Sequence, residues 1–311
     1  MRALVFTGPG VVELQQVPVP EARPGELVLS VRAAGICGSE LHGFRNVGFR
    51  KPPLVMGHEF TGETPDGRRV VVNPLVSCGS CDLCRRGAPQ LCRVRELMGV
   101  HRPGGFADWV VVPTAAVHDL PEGMTWEAGT LVEPLANAVH AWKHVGLQGG
   151  ERVAIIGAGA IGLVSLLVAR HLGVGDVTVV DRSPSRLDVA ARLGATRQET
   201  ELQGEYDVVL DAVGLAATRA AAVEAVRPAG TTVWLGLAQP ESGFDANALV
   251  RQEKKVIGSF AYTPDDFAEA LRCAPQVDLG WATPVAWEES QRTFLRLADG
   301  ASDPVKAVLR L

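Results

Sequence analysis

Val153-Ala-Ile-Ile-Gly-Ala-Gly-Ala-Ile-Gly162 is the stretch on which the fold turns. Its first four residues form an apolar, strand-like run, and its last six fit G-x-G-x-x-G. A helical pattern, Ile161 to Leu172, follows at once. In this setting Gly157 makes a tight turn, Gly159 lets the backbone approach a pyrophosphate, and Gly162 lets helix and strand pack closely. The helix N-terminus adds unsatisfied N–H groups and a partial positive charge. The glycine pattern alone is weak, but a strand precedes it, a helix follows it, and Asp181 closes the next strand-like run 19 residues after Gly162. The three features together read as a dinucleotide site. Asp181 is placed to accept hydrogen bonds from the adenosine ribose and to repel a 2′-phosphate, which favours NAD over NADP. Arg182 beside it is a contrary signal. Arg186 reads equally as a ribose contact or as a solvated helix charge.

Downstream of this motif, strand-like runs (Asp176 to Val180, Tyr206 to Leu210, Thr231 to Leu235, Val256 to Phe260) alternate with helical stretches (Pro184 to Leu193, Ala216 to Val226). Such alternation predicts βαβ units and a parallel sheet. Upstream, the first 140 residues read as mostly β: short runs such as Leu27 to Arg32, Arg69 to Asn73 and Ala107 to Val112 are punctuated by Gly and Pro. After Phe260 come a helix opened by Thr263-Pro264, another from Glu288 to Leu297, and a closing strand, Ala307 to Leu311. The expected fold class is α/β, with a doubly wound parallel sheet beside a β-rich part.

Composition bounds the function. With 311 residues, 47% of them hydrophobic, the chain can bury cores for about two domains, which excludes a disordered protein. A net charge of −5 without a basic block argues against nucleic acid or an anionic membrane as partner. MRALVFTGPGVVELQ has no signal-like apolar run, and the longest uncharged run, Val153 to Ala169, contains three glycines and is too short to span a bilayer. The expectation is a cytoplasmic chain. Four of the six cysteines, Cys78, Cys81, Cys84 and Cys92, follow C-x2-C-x2-C-x7-C. Four thiolates at this spacing suit a closed, structural Zn²⁺; an iron–sulfur cluster or two disulfides are the rival readings.

A second group is dispersed: Cys37 in Gly35-Ile-Cys-Gly-Ser-Glu-Leu-His42, then Gly57-His58-Glu59, then Glu133-Pro134. Each residue alone reads as packing or surface charge. Taken together, one Cys, one His and a carboxylate can hold a tetrahedral Zn²⁺ with one position open to substrate.

These motifs, in this order, with Glu133-Pro-Leu-Ala136 and Ile257-Gly-Ser-Phe260, resemble the zinc-dependent medium-chain alcohol dehydrogenases, and within them the sorbitol (polyol) dehydrogenase branch. The resemblance runs from Met1 to Leu311. It implies a Rossmann domain, about 141–261, inserted in a β-rich, GroES-like catalytic domain, about 1–140 and 262–311, with a structural-zinc lobe near 76–95. It also implies two zinc ions per chain, one catalytic and one structural, with NAD as hydride acceptor and a secondary alcohol of the polyol, sugar alcohol or cyclitol class as substrate. Cys37, His58 and Glu59 match catalytic zinc ligands. Glu133 stands where relatives place a second ligand cysteine or a glutamate touching the zinc-bound water. A zinc ion with one thiolate and one carboxylate is neutral, so we expect one glutamate on the metal and the other on its water. Ser39 and His42 match a proton relay. Ile161, Asp181, Arg186, Leu235, Gly236, Leu237, Ser259, Phe260 and Ala261 match cofactor contacts, and Tyr262 a substrate contact. A homo-dimer or homo-tetramer is implied as well.

Three departures bear on the substrate. Gly43 replaces an aromatic usual after the relay histidine, and Ala261 replaces an arginine that contacts sugar hydroxyls. Phe60 to Gly67 reaches Arg68 almost directly, where the family runs through a β-hairpin. The segment Gly43 to Arg50 could supply replacements: Arg45 or Arg50 would suit an anionic or hydroxyl-rich substrate, or both would be solvated loop charges. The rival functions are the same chemistry on a simple secondary alcohol or on an amino alcohol such as threonine, and a non-catalytic NAD- and zinc-binding sensor.

Overall fold

The punctuated β-branched runs of the N-terminal part form antiparallel strands, and the alternating segments after residue 150 form a parallel sheet. The computed structural model describes residues 1–45, 48 and 50–311; Asn46, Val47 and Phe49 of the segment that follows His42 lie outside the described residues. The chain divides into two units, Met1–Glu133 with Leu279–Leu311, and Pro134–Asp278.

The first unit is organised around one long strand, Glu26–Gly35, which pairs antiparallel with Glu59–Glu63, Trp109–Pro113 and Ala307–Arg310. Among the described residues these belong to a seven-stranded sheet. Leu29, Val31 and Ala34 join Leu4, Phe6, Met56, Phe60, Phe106 and Phe294 in the core, while Arg32 is exposed. The register sets Gly35 opposite both Glu59 and Val308, so three remote segments meet at one strand end. The segment after Glu59 is itself a tight hairpin. Glu59–Glu63 turns through Thr64 to Gly67 into Arg69–Val72, and Gly67 N–H donates to Thr64 O at 2.9 Å. Leu75–Val76 and Glu96–Leu97 pair to close the cysteine-bearing lobe.

In the second unit the described strands form a six-stranded, all-parallel sheet in the order Arg197–Glu199, Asp176–Val180, Arg152–Ile156, Tyr206–Asp211, Val226–Trp234, Lys255–Gly258. This is the doubly wound dinucleotide-binding order, with its reversal beside Arg152–Ile156. The glycine turn leads into the helix Ala160–His171. A Cβ on Gly162 would sit 1.7 Å from Gly157 O, so backbone alone fills that space.

Two elements differ from the sequence expectation. Val132–Val145 is a 14-residue helix in a region expected to be β. Val132, Leu135, Ala136, Val139 and Trp142 fall at helical spacing and are buried, and Pro134 sits in the first turn, where no N–H is needed. The strand expected from Thr231 begins at Val226, directly after the helix Ala216–Ala225, with Ala229 left-handed at φ 62°. Among the described residues no helix is long and apolar enough to cross a membrane.

Thr263 caps the helix Pro264–Cys273 through a capping box with Asp266. The buried Asp266 accepts from Thr263 N (2.9 Å), Thr263 Oγ1 (2.7 Å) and Lys143 Nζ (2.5 Å), and is bonded to His140 Nδ1 at 2.7 Å. Burial pushes its pKa up, but the bonds to His140, Lys143 and Thr263 outweigh it and hold the carboxyl below the ordinary range. A depressed folded pKa stabilises above the unfolded value, about 4, and that contribution fades as pH falls below it. Asp266→Asn should therefore destabilise the protein at neutral pH, and the deficit should shrink at about pH 3; denaturant unfolding at the two pH values measures it.

Candidate metal centre and dinucleotide site

The strand Glu26–Gly35 ends two residues before Cys37, which caps a one-turn helix, Gly38–Gly43. Glu59 opens the neighbouring strand, Glu59–Glu63, and His58 directly precedes it. Cys37, His58 and Glu59 each present one ligand atom, and these atoms lie within 4.8 Å of one another. One sulfur, one nitrogen and one oxygen from three residues suit Zn²⁺ and leave one tetrahedral position open. Glu133 is buried at the start of Val132–Val145 but does not join that group.

A residue outside the expected set holds this arrangement together. Glu40 is fully buried, and its carboxylate accepts from Cys37 N at 3.0 Å and from Gly57 N at 2.8 Å, and bonds His58 Nδ1 at 3.0 Å. With Nδ1–H given to a carboxylate, a neutral His58 would carry its lone pair on Nε2, the tautomer a metal ligand needs. Burial works against the Glu40 charge, yet His58 and Arg50 nearby and the bond from Cys37 N–H hold its pKa below the usual range. Burial likewise opposes a charged His58, and its neighbours Glu40 and Cys37 more than reverse this. Glu59 is paired with Lys306, a buried lysine that also donates to Ile36 O at 3.1 Å. Burial disfavours the Lys306 charge, but Glu59, Cys37 and Glu40 raise its pKa overall.

On the one-turn helix, Ser39 and His42 are exposed, and Ser39 Oγ donates to Cys37 Sγ at 3.5 Å. Arg45 is also exposed and is satisfied by Ala298 O (2.6 Å) and Asp299 Oδ1 (2.9 Å). Arg50, by contrast, is buried, so it is not the solvated loop charge it resembles in the sequence.

The four cysteines of the lobe are free thiols, and their sulfurs also lie within 4.8 Å of one another. Cys81–Cys84 and Cys78–Cys92 sulfurs are 3.5 Å apart, Cys81–Cys92 3.9 Å and Cys78–Cys84 4.0 Å. Four sulfurs each about 2.3 Å from a tetrahedral centre stand about 3.8 Å apart. A disulfide needs about 2 Å, so the two-disulfide reading does not fit. Hydrogen bonds from Ser80 and the Cys81 N–H bring the Cys78 thiol down to about 6.

In the second unit, Asp181 Oδ2 accepts from Ala158 N at 2.7 Å and Oδ1 from Ser183 N at 2.8 Å. The acid therefore braces the glycine turn as well as presenting charge beside it. Gly157, Gly159, Ile161 and Gly162 line that turn and the helix start; Leu235, Gly236 and Leu237 follow Val226–Trp234, and Ser259 and Phe260 follow Lys255–Gly258. Leu237 and Phe260 are exposed apolar side chains, Arg186 is half-buried, and Ala261 is left-handed at φ 51°. Tyr262 is buried with its ring 5.8 Å from that of Phe267.

Glu40 lies within the quoted Gly35-to-His42 motif, and its signal was available: an acid at the third position of a helix whose cap is a metal-ligand candidate. Lys306 carries no local signal.

With this geometry in view, comparisons with known proteins are specific. The family description "Alcohol dehydrogenase GroES-like domain" matches residues 23–122, and "Zinc-binding dehydrogenase" matches 160–275. L-galactonate-5-dehydrogenase of Escherichia coli (strain K12) is 32% identical over 88% of this chain and 86% of its own length. Sorbitol dehydrogenase of Bacillus subtilis (strain 168) is 30% identical over 84% and 82%. A zinc-binding dehydrogenase of Sinorhizobium meliloti 1021, solved bound to NADP, superimposes with a TM-score of 0.93 at 27% identity over 100% of this chain and 99% of that one. The chain belongs to the zinc-dependent medium-chain alcohol dehydrogenases. It is an oxidoreductase that uses zinc and a nicotinamide cofactor.

Glu40→Gln keeps the size of the side chain and removes the charge that orients His58. Loss of such a partner should weaken zinc at the Cys37 site by about 10- to 100-fold and leave the four-cysteine lobe unaffected, as read by chelator competition on the purified protein.

Proposed function

We propose that this chain oxidises a secondary alcohol group of a polyhydroxylated substrate, of the polyol, sugar alcohol or cyclitol class, with NAD. The reading rests on one observation above all: Cys37, His58 and Glu59 converge as a three-donor set one ligand short of a tetrahedron, braced by Glu40. When bound, zinc supplies Lewis acidity at the alcohol oxygen and the nicotinamide supplies the hydride acceptor. The residues do the rest. Cys37, His58 and Glu59 hold the metal, and Glu133, buried but outside that set, orients the incoming hydroxyl. Ser39 Oγ, beside Cys37 Sγ, takes the proton that leaves the alcohol oxygen. His42, three residues along the same helix and exposed, hands it to solvent.

Asp181 supports NAD over NADP, since its carboxylate is fixed at the end of the second strand by two backbone N–H donors, where a 2′-phosphate would meet its charge. Gly157, Gly159, Ile161, Gly162, Arg186, Leu235, Gly236, Leu237, Ser259, Phe260 and Ala261 are assigned to the same cofactor. The sulfur spacing of Cys78, Cys81, Cys84 and Cys92 supports a second, structural zinc. Resemblance supports a cytoplasmic homo-dimer or homo-tetramer.

A panel of hexitols, sugar acids, cyclitols, simple secondary alcohols and threonine, followed by NADH absorbance, tests the function. Turnover should be confined to polyhydroxylated members, and Cys37→Ser should abolish it while lowering zinc from two ions per chain to one. Tight NAD binding without turnover on any member would sink the reading in favour of a sensor. Asp181→Ser should raise the KM for NAD about tenfold and relax discrimination against NADP, because it removes about one hydrogen-bonded charge; an unchanged cofactor preference would remove the ribose role.

A further inference from the structure

We propose that Arg50 is the specificity-determining residue of this site and that it selects an alcohol carrying an anionic group, a carboxylate or a phosphate. The inference rests on the oxidoreductase reading above and narrows its substrate class.

Arg50 is 8% exposed, and its Nε is buried without a hydrogen-bond partner. Among the described residues its guanidinium makes no hydrogen bond. The buried acid whose charge it supports is already committed: Glu40 spends its oxygens on Cys37 N, Gly57 N and His58 Nδ1. A buried guanidinium with unspent donors is costly, and such groups ordinarily find a partner. Its planar fork matches two oxygens of one carboxylate or phosphate.

The location ties this fork to the reaction. A Cβ on Gly43 would lie 2.1 Å from Arg50 Nη1, so the guanidinium fills the space that a side chain at position 43 would take. Gly43 directly follows His42 and ends the helix that carries Ser39. The positive group thus stands against the helix to which the proton relay is assigned, one residue beyond its outer member. An anion held there leaves a hydroxyl elsewhere on the same chain of carbons free to reach the Cys37–His58–Glu59 group.

The test compares kcat/KM for hexonates, hexitol 1-phosphates and the parent hexitols in the holoenzyme. The wild type should favour one anionic series over the neutral hexitols by at least about tenfold, and the preferred series identifies the anion as carboxylate or phosphate. Arg50→Met should reduce that preference by about 10- to 100-fold, mainly through the KM of the anionic substrate. Should Arg50→Met fail to fold, Arg50→Lys carries the comparison: an ammonium cannot form the fork, so the same ratio should fall about tenfold. A ratio unchanged in the variant, with anionic and neutral rates falling together, overturns the proposal and makes Arg50 a brace for Glu40. A wild type that oxidises only neutral hexitols also overturns it, while leaving the proposed dehydrogenase function intact. No NADH from any substrate sinks that function itself.

Discussion

The candidate metal centre depends on a single buried carboxylate. Glu40 joins the segment that carries Cys37 to the segment that carries His58, through two backbone N–H groups and one imidazole nitrogen. A fully buried anion is tolerable only when such donors surround it, and here the donors belong to the very residues that must be aligned. The same charge sets the imidazole tautomer. Orientation of the metal-ligand candidates and stability of the fold around them are therefore one problem with one solution.

Around that hub the site alternates charge in depth. Glu59 faces the same space as Cys37 and is answered by Lys306, which is itself buried and anchored to Ile36 O. Neither member of this pair could stay charged alone in such an interior. The arrangement keeps a carboxylate available beside Cys37 and His58 without leaving it unbalanced, and it draws on the residue just before the strand Ala307–Arg310 to do so.

The second unit was largely legible from the sequence because its strands are covered on both faces. The apolar run Val153–Ile156 lies within the strand Arg152–Ile156, Asp176–Val180 has the bounds its run predicts, and Thr263-Pro264 marked the start of its helix. The metal-ligand candidates were legible as well, since their residue types and spacing are local signals. What lay beyond reading was tertiary. The helix Val132–Val145 hid in a stretch judged by its β-rich surroundings, although its apolar spacing is helical. Lys306 is separated from Glu59 by 247 residues, and no pattern announces that pairing. Arg50 looks like any loop arginine until its burial is known. Glu40, like the helix Val132–Val145, was an omission for which the sequence held a cue.

The Lys306 pairing also has a temporal side. The segment Pro134–Asp278 is threaded between the metal-ligand candidates and Lys306, which neutralises one of them. During synthesis Cys37, His58 and Glu59 leave the ribosome long before Lys306, and until it emerges Glu59 has no buried counter-ion. Contacts so distant in sequence form late, because the intervening chain must first be closed into a loop. The inserted unit can reach its own structure meanwhile, and the charge balance around Glu59 is completed only when Lys306 folds back onto it.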